Sequence, residues 1–328
     1  MASAATTPPD LHVSTEPEKL SLLARLRKGD EIAYLVTLAS ALSIILITGL
    51  LVQHLWVDSA LARHAFGWRF LYTSAWDPVQ NQFGALPFIY GTVLTSVLAL
   101  LISVPIGIGA AIFLAELAPR KLSNVLTFMI ELLAAVPSVI FGLLGIFVLL
   151  PILENYVVPV IQKFFGFLPL FAGAFHGVSY LSASVVLSIM IVPFIVSISR
   201  EVLLAVPQSQ REAMMALGAT KWDVTWRAVV PYAIRGIFGS IFLALARALG
   251  ETMAVTMVIG NVPAISKSLL APGYTIAAVI ANEFTEATGD LYIHALIELA
   301  LVLFAVTMII NALARILMLG MKRQEATL

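Results

Sequence analysis

Residues 207–231 read PQSQREAMMALGATKWDVTWRAVVP, and the rest of the chain is organised around them. This polar, charge-bearing segment lies between two strongly apolar runs. Ser209 and Glu212 have the S-x-x-E spacing of a capping box, which predicts the first turn of a short helix. Gly218 stands where that helix would end, because glycine readily adopts the left-handed backbone that closes a helix.

A second short helix is predicted directly after this glycine. Thr220 and Asp223 repeat the capping spacing, and Pro231 is expected to close the helix. Two helices that meet at a glycine would form a compact unit, stiff enough to transmit a force.

The polar segment has two simpler interpretations. It could be an ordinary helical connection, or a helix-turn-helix that reads DNA through Arg211, Lys221 and Arg227. The DNA interpretation is disfavoured, because both ends of the segment continue into apolar runs and no third helix is available for packing. The local pattern alone leaves the ordinary connection open.

The composition is that of a membrane protein. Of 328 residues, 60% are hydrophobic and only 12% are charged, and the mean hydropathy is +0.98. A soluble domain has about 25% charged residues. The net charge of +0 gives no long-range attraction for nucleic acid. The absence of cysteine excludes disulfides, iron–sulfur clusters and thiolate zinc sites.

Six apolar runs are long enough to cross a bilayer, which takes about 20 residues. The predicted fold is therefore all-α, a polytopic integral membrane protein with six transmembrane helices. We expect a tail at residues 1–30, a membrane domain at 31–321 and a second tail at 322–328. The predicted spans cover residues 32–57, 88–116, 122–150, 181–198, 237–259 and 292–319.

The basic residues predict the orientation of these spans. With the N-terminal tail inside, most lysines and arginines fall on the inner side, including all those of segment 207–231. Cytoplasmic connections carry such an excess, so both tails and the polar segment are expected in the cytoplasm. The few basic residues left on the outer side are Arg63, Arg69, Lys163 and Lys267.

Two charged residues, Arg247 and Glu251, lie inside the fifth apolar run. A charge at the bilayer centre costs about 2.5–3.5 kcal/mol, so it needs a partner and usually has a function. Their i, i+4 spacing predicts that both lie on one helical face, one turn apart, with Ser240 on the same stripe. This stripe is expected to line a polar path.

The pair could simply neutralise each other between helices. Alternatively, the planar guanidinium of Arg247 could bind a tetrahedral oxyanion. Glu251 would then favour phosphate over sulfate, because phosphate near neutral pH keeps a hydroxyl that can donate to a carboxylate, whereas sulfate has none.

The polar segment resembles the EAA loop of permeases from ATP-binding cassette (ABC) importers. That motif is Glu-Ala-Ala, three residues, Gly, nine residues, then Ile-x-Leu-Pro. Met214 replaces the second alanine here, and Ala228 replaces the isoleucine. The resemblance implies the type I ABC importer permease fold and a loop that couples to a cytoplasmic ATPase. The residues to which it assigns this coupling are Glu212, Ala213, Met214, Gly218, Ala219 and Pro231.

The run RALGET at residues 247–252 is similar to the permeases of phosphate-specific importers, as are SAWDPVQNQFGALPF and VPSVIFGLLGIFVLLP. The resemblance covers roughly residues 30–320. It implies transport of inorganic phosphate, a second permease as heterodimer partner, a cytoplasmic ATPase dimer and an extracytoplasmic phosphate-binding protein. Membrane lipid is the remaining partner, and no nucleic acid is expected.

No cofactor is expected in this chain. It has no Gly-Lys dipeptide and hence no Walker A loop, so the partner ATPase would bind ATP–Mg. Motifs of membrane-embedded hydrolases are also missing. The alternatives that stay open are a permease for sulfate, molybdate or another oxyanion, and an ion-driven secondary transporter.

Overall fold

The computed structural model describes residues 30–325, and the side chains of residues 31–316. These residues form helices joined by loops, with two isolated β-bridges and no strand among them. The all-α prediction is confirmed. The expected tail at 1–30 lies outside the described residues except for Asp30. Of the expected tail at 322–328, residues 322–325 belong to the last described helix, and the other three lie outside the described residues.

Twelve α-helices follow one another in the described chain, several with π-helical turns inside them, and a 3₁₀ turn lies at Pro169–Phe171. They are α1 (Asp30–Asp58), α2 (Ala60–Phe66), α3 (Arg69–Tyr72), α4 (Leu86–Leu117), α5 (Arg120–Ala134), α6 (Ser138–Phe165), α7 (Tyr180–Leu204), α8 (Gln208–Ala216), α9 (Lys221–Leu249), α10 (Met253–Ile259), α11 (Ile276–Glu283) and α12 (Asp290–Glu325).

The chain divides into two units between His54 and Leu55. The described residues of the first unit all belong to the apolar helix α1, whose last four residues, 55–58, fall in the second unit. The other eleven α-helices also belong to the second unit. Six helices of the described chain are long and apolar enough to cross a membrane, as predicted: α1, α4, α6, α7, α9 and α12.

The third span differs from its predicted position. A single helix was expected over 122–150, but α5 ends at Ala134, and α6 begins at Ser138 and continues to Phe165. Pro137 causes the break. Its ring disfavours helical backbone at the preceding residue, and it has no amide hydrogen to donate. The crossing helix is therefore shifted toward the C-terminus.

The fifth span also differs. Helix α9 starts at Lys221 and runs without interruption through Pro231, which was expected to end a short helix. A π-helical turn at Thr225–Val229 precedes the proline, and such a wider turn accommodates a residue that cannot donate its amide. The helix stops at Leu249, and Gly250 to Thr252 separate it from α10.

Helix α7 is the centre of the second unit. It packs against α4, α9 and α10, and most of its side chains are buried. Its fully buried residues include Tyr180, Leu187, Ile191 and Ile195. Burial on all sides explains why α7 is apolar around its whole circumference instead of along one stripe.

The loop before α11 lies directly on helix α4. A β-carbon at Gly91 would be 2.1 Å from the carbonyl oxygen of Tyr274, so only glycine allows this approach. The hydroxyl of Thr92 accepts the amide of Ile276 at 2.9 Å, which holds the start of α11. Burial raises the pKa of Tyr274 from its ordinary value of 10 to about 12.

Gly91→Ala should destabilise the protein by about 1–3 kcal/mol, the usual cost of overpacking a filled interior. The new methyl group would meet a main-chain carbonyl, which cannot rotate away as a side chain can. Gly109→Ala in the same helix is the matched control, because no described atom outside the helix's own backbone lies within 4 Å of that β-carbon position. Melting temperatures of the purified proteins give the comparison, and equal values would contradict this packing.

Candidate functional site

The segment 207–231 forms the predicted pair of helices around a glycine. Helix α8 ends at Ala216, and α9 starts at Lys221. Gly218 between them has φ of +82°, a left-handed conformation that other residues rarely adopt. The β-carbon position of Gly218 is otherwise open, so the backbone angle rather than space requires glycine there. We call residues 207–231 the coupling segment.

One of the two predicted capping boxes is present. The amide of Asp223 donates to the Thr220 hydroxyl at 3.2 Å, and the amide of Thr220 donates to the Asp223 carboxylate at 3.3 Å. The box at Ser209 and Glu212 is wrong. Helix α8 begins at Gln208, two residues earlier than a cap at Ser209 would require, and its cap position, Pro207, has no side-chain hydrogen bond to the helix.

A nearly buried ion pair connects α8 to the end of α4. The Arg211 guanidinium binds the Glu116 carboxylate at both oxygens, with Nη2–Oε1 at 2.7 Å and Nε–Oε2 at 3.3 Å. The two side chains are only 13% and 10% exposed. A bidentate pair of this kind fixes both position and direction.

The same guanidinium closes the end of helix α7. Arg211 donates from Nη2 to the carbonyl of Leu203 at 2.9 Å and from Nη1 to the carbonyl of Val206. The last carbonyls of a helix lack partners within it, so a cation near the C-terminal end can donate hydrogen bonds to them and interacts favourably with the helix dipole. Arg211 therefore ties together α4, α7 and α8.

Sequence reasoning missed this function of Arg211. It treated Arg211 only as a basic residue and placed Glu116 at the end of a span without assigning it a partner. The two residues are 95 positions apart, so no local spacing could have paired them. The available signal was a lone carboxylate at the end of an apolar run.

The residues implied by the EAA resemblance divide between two faces of the coupling segment. Met214 and Ala219 pack against an apolar cluster that includes buried Val206, Val224 and Val229. The other four, Glu212, Ala213, Gly218 and Pro231, are exposed.

Large apolar side chains accompany that exposed face. Leu217 is 84% exposed, and Met215, Trp222 and Trp226 are also exposed. The two indole rings lie edge to face with centroids 5.6 Å apart. An exposed cluster of apolar residues of this kind is typical of a surface that another protein covers.

Arg247 and Glu251 lie on either side of a helix break. Arg247 is in the last turn of α9, whereas Glu251 follows Gly250 and lies outside the helix. The expectation that they share a helical face is wrong, because the helix ends before it reaches Glu251. No ion pair of the described residues joins them. The Glu251 carboxylate instead accepts the amide of Ala254 at 3.3 Å.

Ser240 and Arg247 lie two turns apart on the same stripe of α9, but their surroundings differ. Ser240 is fully buried, and its hydroxyl lies 2.7 Å from that of Ser199 on α7. It therefore holds α9 against α7. Arg247 is exposed, and its guanidinium carbon lies 5.9 Å from the ring centroid of Phe194.

Residues 103–323 match the family described as "Binding-protein-dependent transport system inner membrane component". The chain belongs to this family. It is therefore a multi-pass membrane subunit of an ABC transporter and not itself an enzyme. Its similarity to named members extends well beyond the matched range.

A "Phosphate transport system permease protein PstC" from Mesorhizobium japonicum is 48% identical over 294 residues, which cover 88% of this chain and 90% of the relative. The protein of that name from Xylella fastidiosa strain 9a5c is 46% identical over 295 residues, covering 89% and 90%. A "Probable phosphate transport system permease protein PstC" from Methanocaldococcus jannaschii is 34% identical, covering 87% and 92%.

Solved structures support the fold of this inner-membrane component. A chain of a bacterial alginate ABC transporter superposes with a TM-score of 0.56 at 15% identity, covering 88% of this chain and 96% of that one. At this identity the likeness concerns the fold alone. The predicted permease fold is confirmed.

Removing the carboxylate of the buried pair with Glu116→Ala should destabilise the permease by about 3–5 kcal/mol, because it leaves the Arg211 charge nearly buried without its partner. Glu212→Ala is the matched control, because it removes an exposed carboxylate from helix α8 that forms no ion pair with the described residues. Surface substitutions of this kind usually change stability by about 0.5 kcal/mol or less.

Thermal unfolding of the purified proteins gives the stabilities, and trypsin digestion tests whether the coupling segment opens. If the two variants had the same melting temperature and trypsin left the coupling segment intact in both, the ion pair would not contribute to stability.

Proposed function

We propose that this chain is the permease subunit of an ATP-driven importer of inorganic phosphate. The observation that carries the proposal is its similarity at 45–48% identity, over most of both chains, to permeases named for phosphate transport. In the proposed complex it forms half of the translocation pathway, and a second permease forms the other half.

The coupling segment is proposed to receive a cytoplasmic ATPase. Its exposed apolar side chains offer a docking surface, and Arg211 links that surface to α4 and α7. ATP–Mg would be bound by two copies of the ATPase, and their closure would push or pull the segment. Because α8 is tied to two transmembrane helices by one side chain, this movement would reach the membrane region directly.

The orientation follows from the same assignment. The coupling segment has to face the cytoplasm to meet an ATPase, and the positive-inside bias then places both termini on that side. The opposite face would receive an extracytoplasmic phosphate-binding protein.

Arg247 and Glu251 are proposed to contact phosphate in the pathway. Broken helices at membrane depth are tolerated where they line a cavity or are covered by protein, and the break at Gly250 lies between these two residues. Arg247 is exposed in the single chain, so it is available to a path shared with the second permease. Buried Ser240, assigned to this path from the sequence, would support it only indirectly by holding α9 on α7.

Arg247→Gln should reduce phosphate uptake at least about tenfold, because it removes a charged hydrogen bond to the anion. Uptake is measured in cells that lack their own high-affinity importer and express the four kinds of subunit. Arg315→Gln is the matched control, an exposed arginine in α12 that is not proposed to line the path. Retained uptake in Arg247→Gln would remove this residue from the path.

Both proteins must be checked for expression and for co-purification of the ATPase, so that lost uptake cannot be mistaken for lost assembly. If the assembled wild-type complex imports sulfate or molybdate instead of phosphate, the permease assignment stands and the proposed substrate is wrong.

Glu251→Gln should weaken the preference for phosphate over sulfate, because an amide no longer repels an anion that lacks a hydroxyl. The measurement is inhibition of labelled phosphate uptake by sulfate in the reconstituted complex. Wild type should resist a large sulfate excess, and the variant should be inhibited. Selectivity that is the same in both would contradict the proposed discrimination by this carboxylate.

A further inference from the structure

A polar cavity of about 600 Å³ lies beside the coupling segment. Four elements border it: the end of α4, the start of α5, the end of α7 and helix α8, together with the first residue of α9. Its size is within the range of small-molecule sites, about 300–1,000 Å³. The charged residues that line it are Glu116, Arg120, Arg200, Arg211 and Lys221.

The cavity carries an excess of positive charge. Glu116 is neutralised by Arg211, which leaves Arg120, Arg200 and Lys221. The side chains of Arg120 and Lys221 make no hydrogen bond or ion pair within the described part of the chain. Three cations from separate elements therefore converge on one space without an internal counter-ion for two of them.

The side chain of Arg200 provides a second observation that indicates a ligand in this cavity. Its side chain is 15% exposed, and its Nε is buried with no hydrogen-bond partner among the described residues. Nη1 reaches Glu201 at 3.2 Å, but that carboxylate is 70% exposed. A buried guanidinium N–H without an acceptor is costly, so a ligand oxygen in the cavity would satisfy it.

We propose that this cavity binds a phosphate group, either inorganic phosphate or the head group of an anionic phospholipid. Guanidinium groups match the geometry of phosphate oxygens, and a tetrahedral dianion can accept from several directions at once. The amides of Asn124 and Gln208 also line the cavity and add neutral donors. This site is distinct from the break at Gly250.

A phosphate group bound in the cavity would affect the position of the coupling segment. The wall of the cavity contains Glu116 and Arg211, the pair that joins α8 to α4. A ligand that bridges α5, α7 and α9 favours the arrangement in which their charges converge, and so shifts the segment toward it. If the ligand is inorganic phosphate, this effect would be feedback by the transported product, a reading that rests on the proposed function.

The test uses the assembled transporter without its binding protein, in nanodiscs made only of phosphatidylcholine. All proteins carry Arg247→Gln, so that the proposed pathway site does not contribute. Equilibrium dialysis with radiolabelled inorganic phosphate should show binding that Arg200→Gln weakens roughly tenfold. Lys121→Gln is the matched control, an exposed cation next to Arg120 that does not line the cavity, and it should leave binding unchanged.

A second arm identifies the source of the phosphate group. Nanodiscs that contain phosphatidylglycerol are compared, and the lipid retained by each protein is measured by native mass spectrometry. If the head group occupies the cavity, retained phosphatidylglycerol should fall in Arg200→Gln and persist in Lys121→Gln. Phosphate binding in the first arm without this difference assigns the site to the free anion. Either result supports the proposal.

The proposal is overturned if Arg200→Gln and Lys121→Gln behave alike in both arms. It is also overturned if Arg200→Gln only releases the ATPase, which would make the cavity a contact between subunits. Should Arg200→Gln fail to fold, the double variant of exposed Arg120 and Lys221 to glutamine takes its place with the same expectation. Wild-type phosphate uptake without any binding in the cavity rejects this inference and leaves the proposed transport function intact.

Discussion

The ion pair and hydrogen bonds of Arg211 hold the end of α4, the end of α7 and the start of the coupling segment together. One guanidinium reaches the Glu116 carboxylate, the carbonyl of Leu203 in the last turn of α7 and the carbonyl of Val206 just beyond that helix. Because both charges are nearly buried, neither can leave the other without a large penalty. One nearly buried side chain therefore holds the start of the coupling segment against α4 and α7. Helix α9 needs no separate connection to the coupling segment, because the first turns of α9, residues 221–231, are the second half of that segment.

The coupling segment and the break at Gly250 lie at the two ends of helix α9. A single helix therefore connects Lys221 to Arg247, with one π-helical turn at Thr225–Val229 along it. Burial of Ser240 against Ser199 keeps α9 in contact with the central helix α7 along the way. The two polar residues of this helix thus differ in their surroundings, since Ser240 is buried at the contact with α7 and Arg247 is exposed.

Much of the architecture could be predicted because it depends on short-range chemistry. The bilayer requires the length and apolar character of the six runs. The turn at Gly218 needs a left-handed backbone angle that only glycine adopts readily, so the glycine indicates the turn. Local rules were wrong where several of them competed. A proline normally ends a regular helix, but the π-helical turn before Pro231 allows α9 to continue. Pro137, and not the start of the apolar run, determines where α6 begins.

The sequence by itself determined the fold class, the number of spans and the position of the coupling segment, because residue type and spacing within a few turns carry that information. Only the tertiary structure decided which charges meet. Glu116 and Arg211 are distant in the chain, and Arg247 and Glu251, which are close in it, do not form a pair. The physical reason is that an ion pair needs two side chains in one place, and the packing of helices, not their order, brings side chains together.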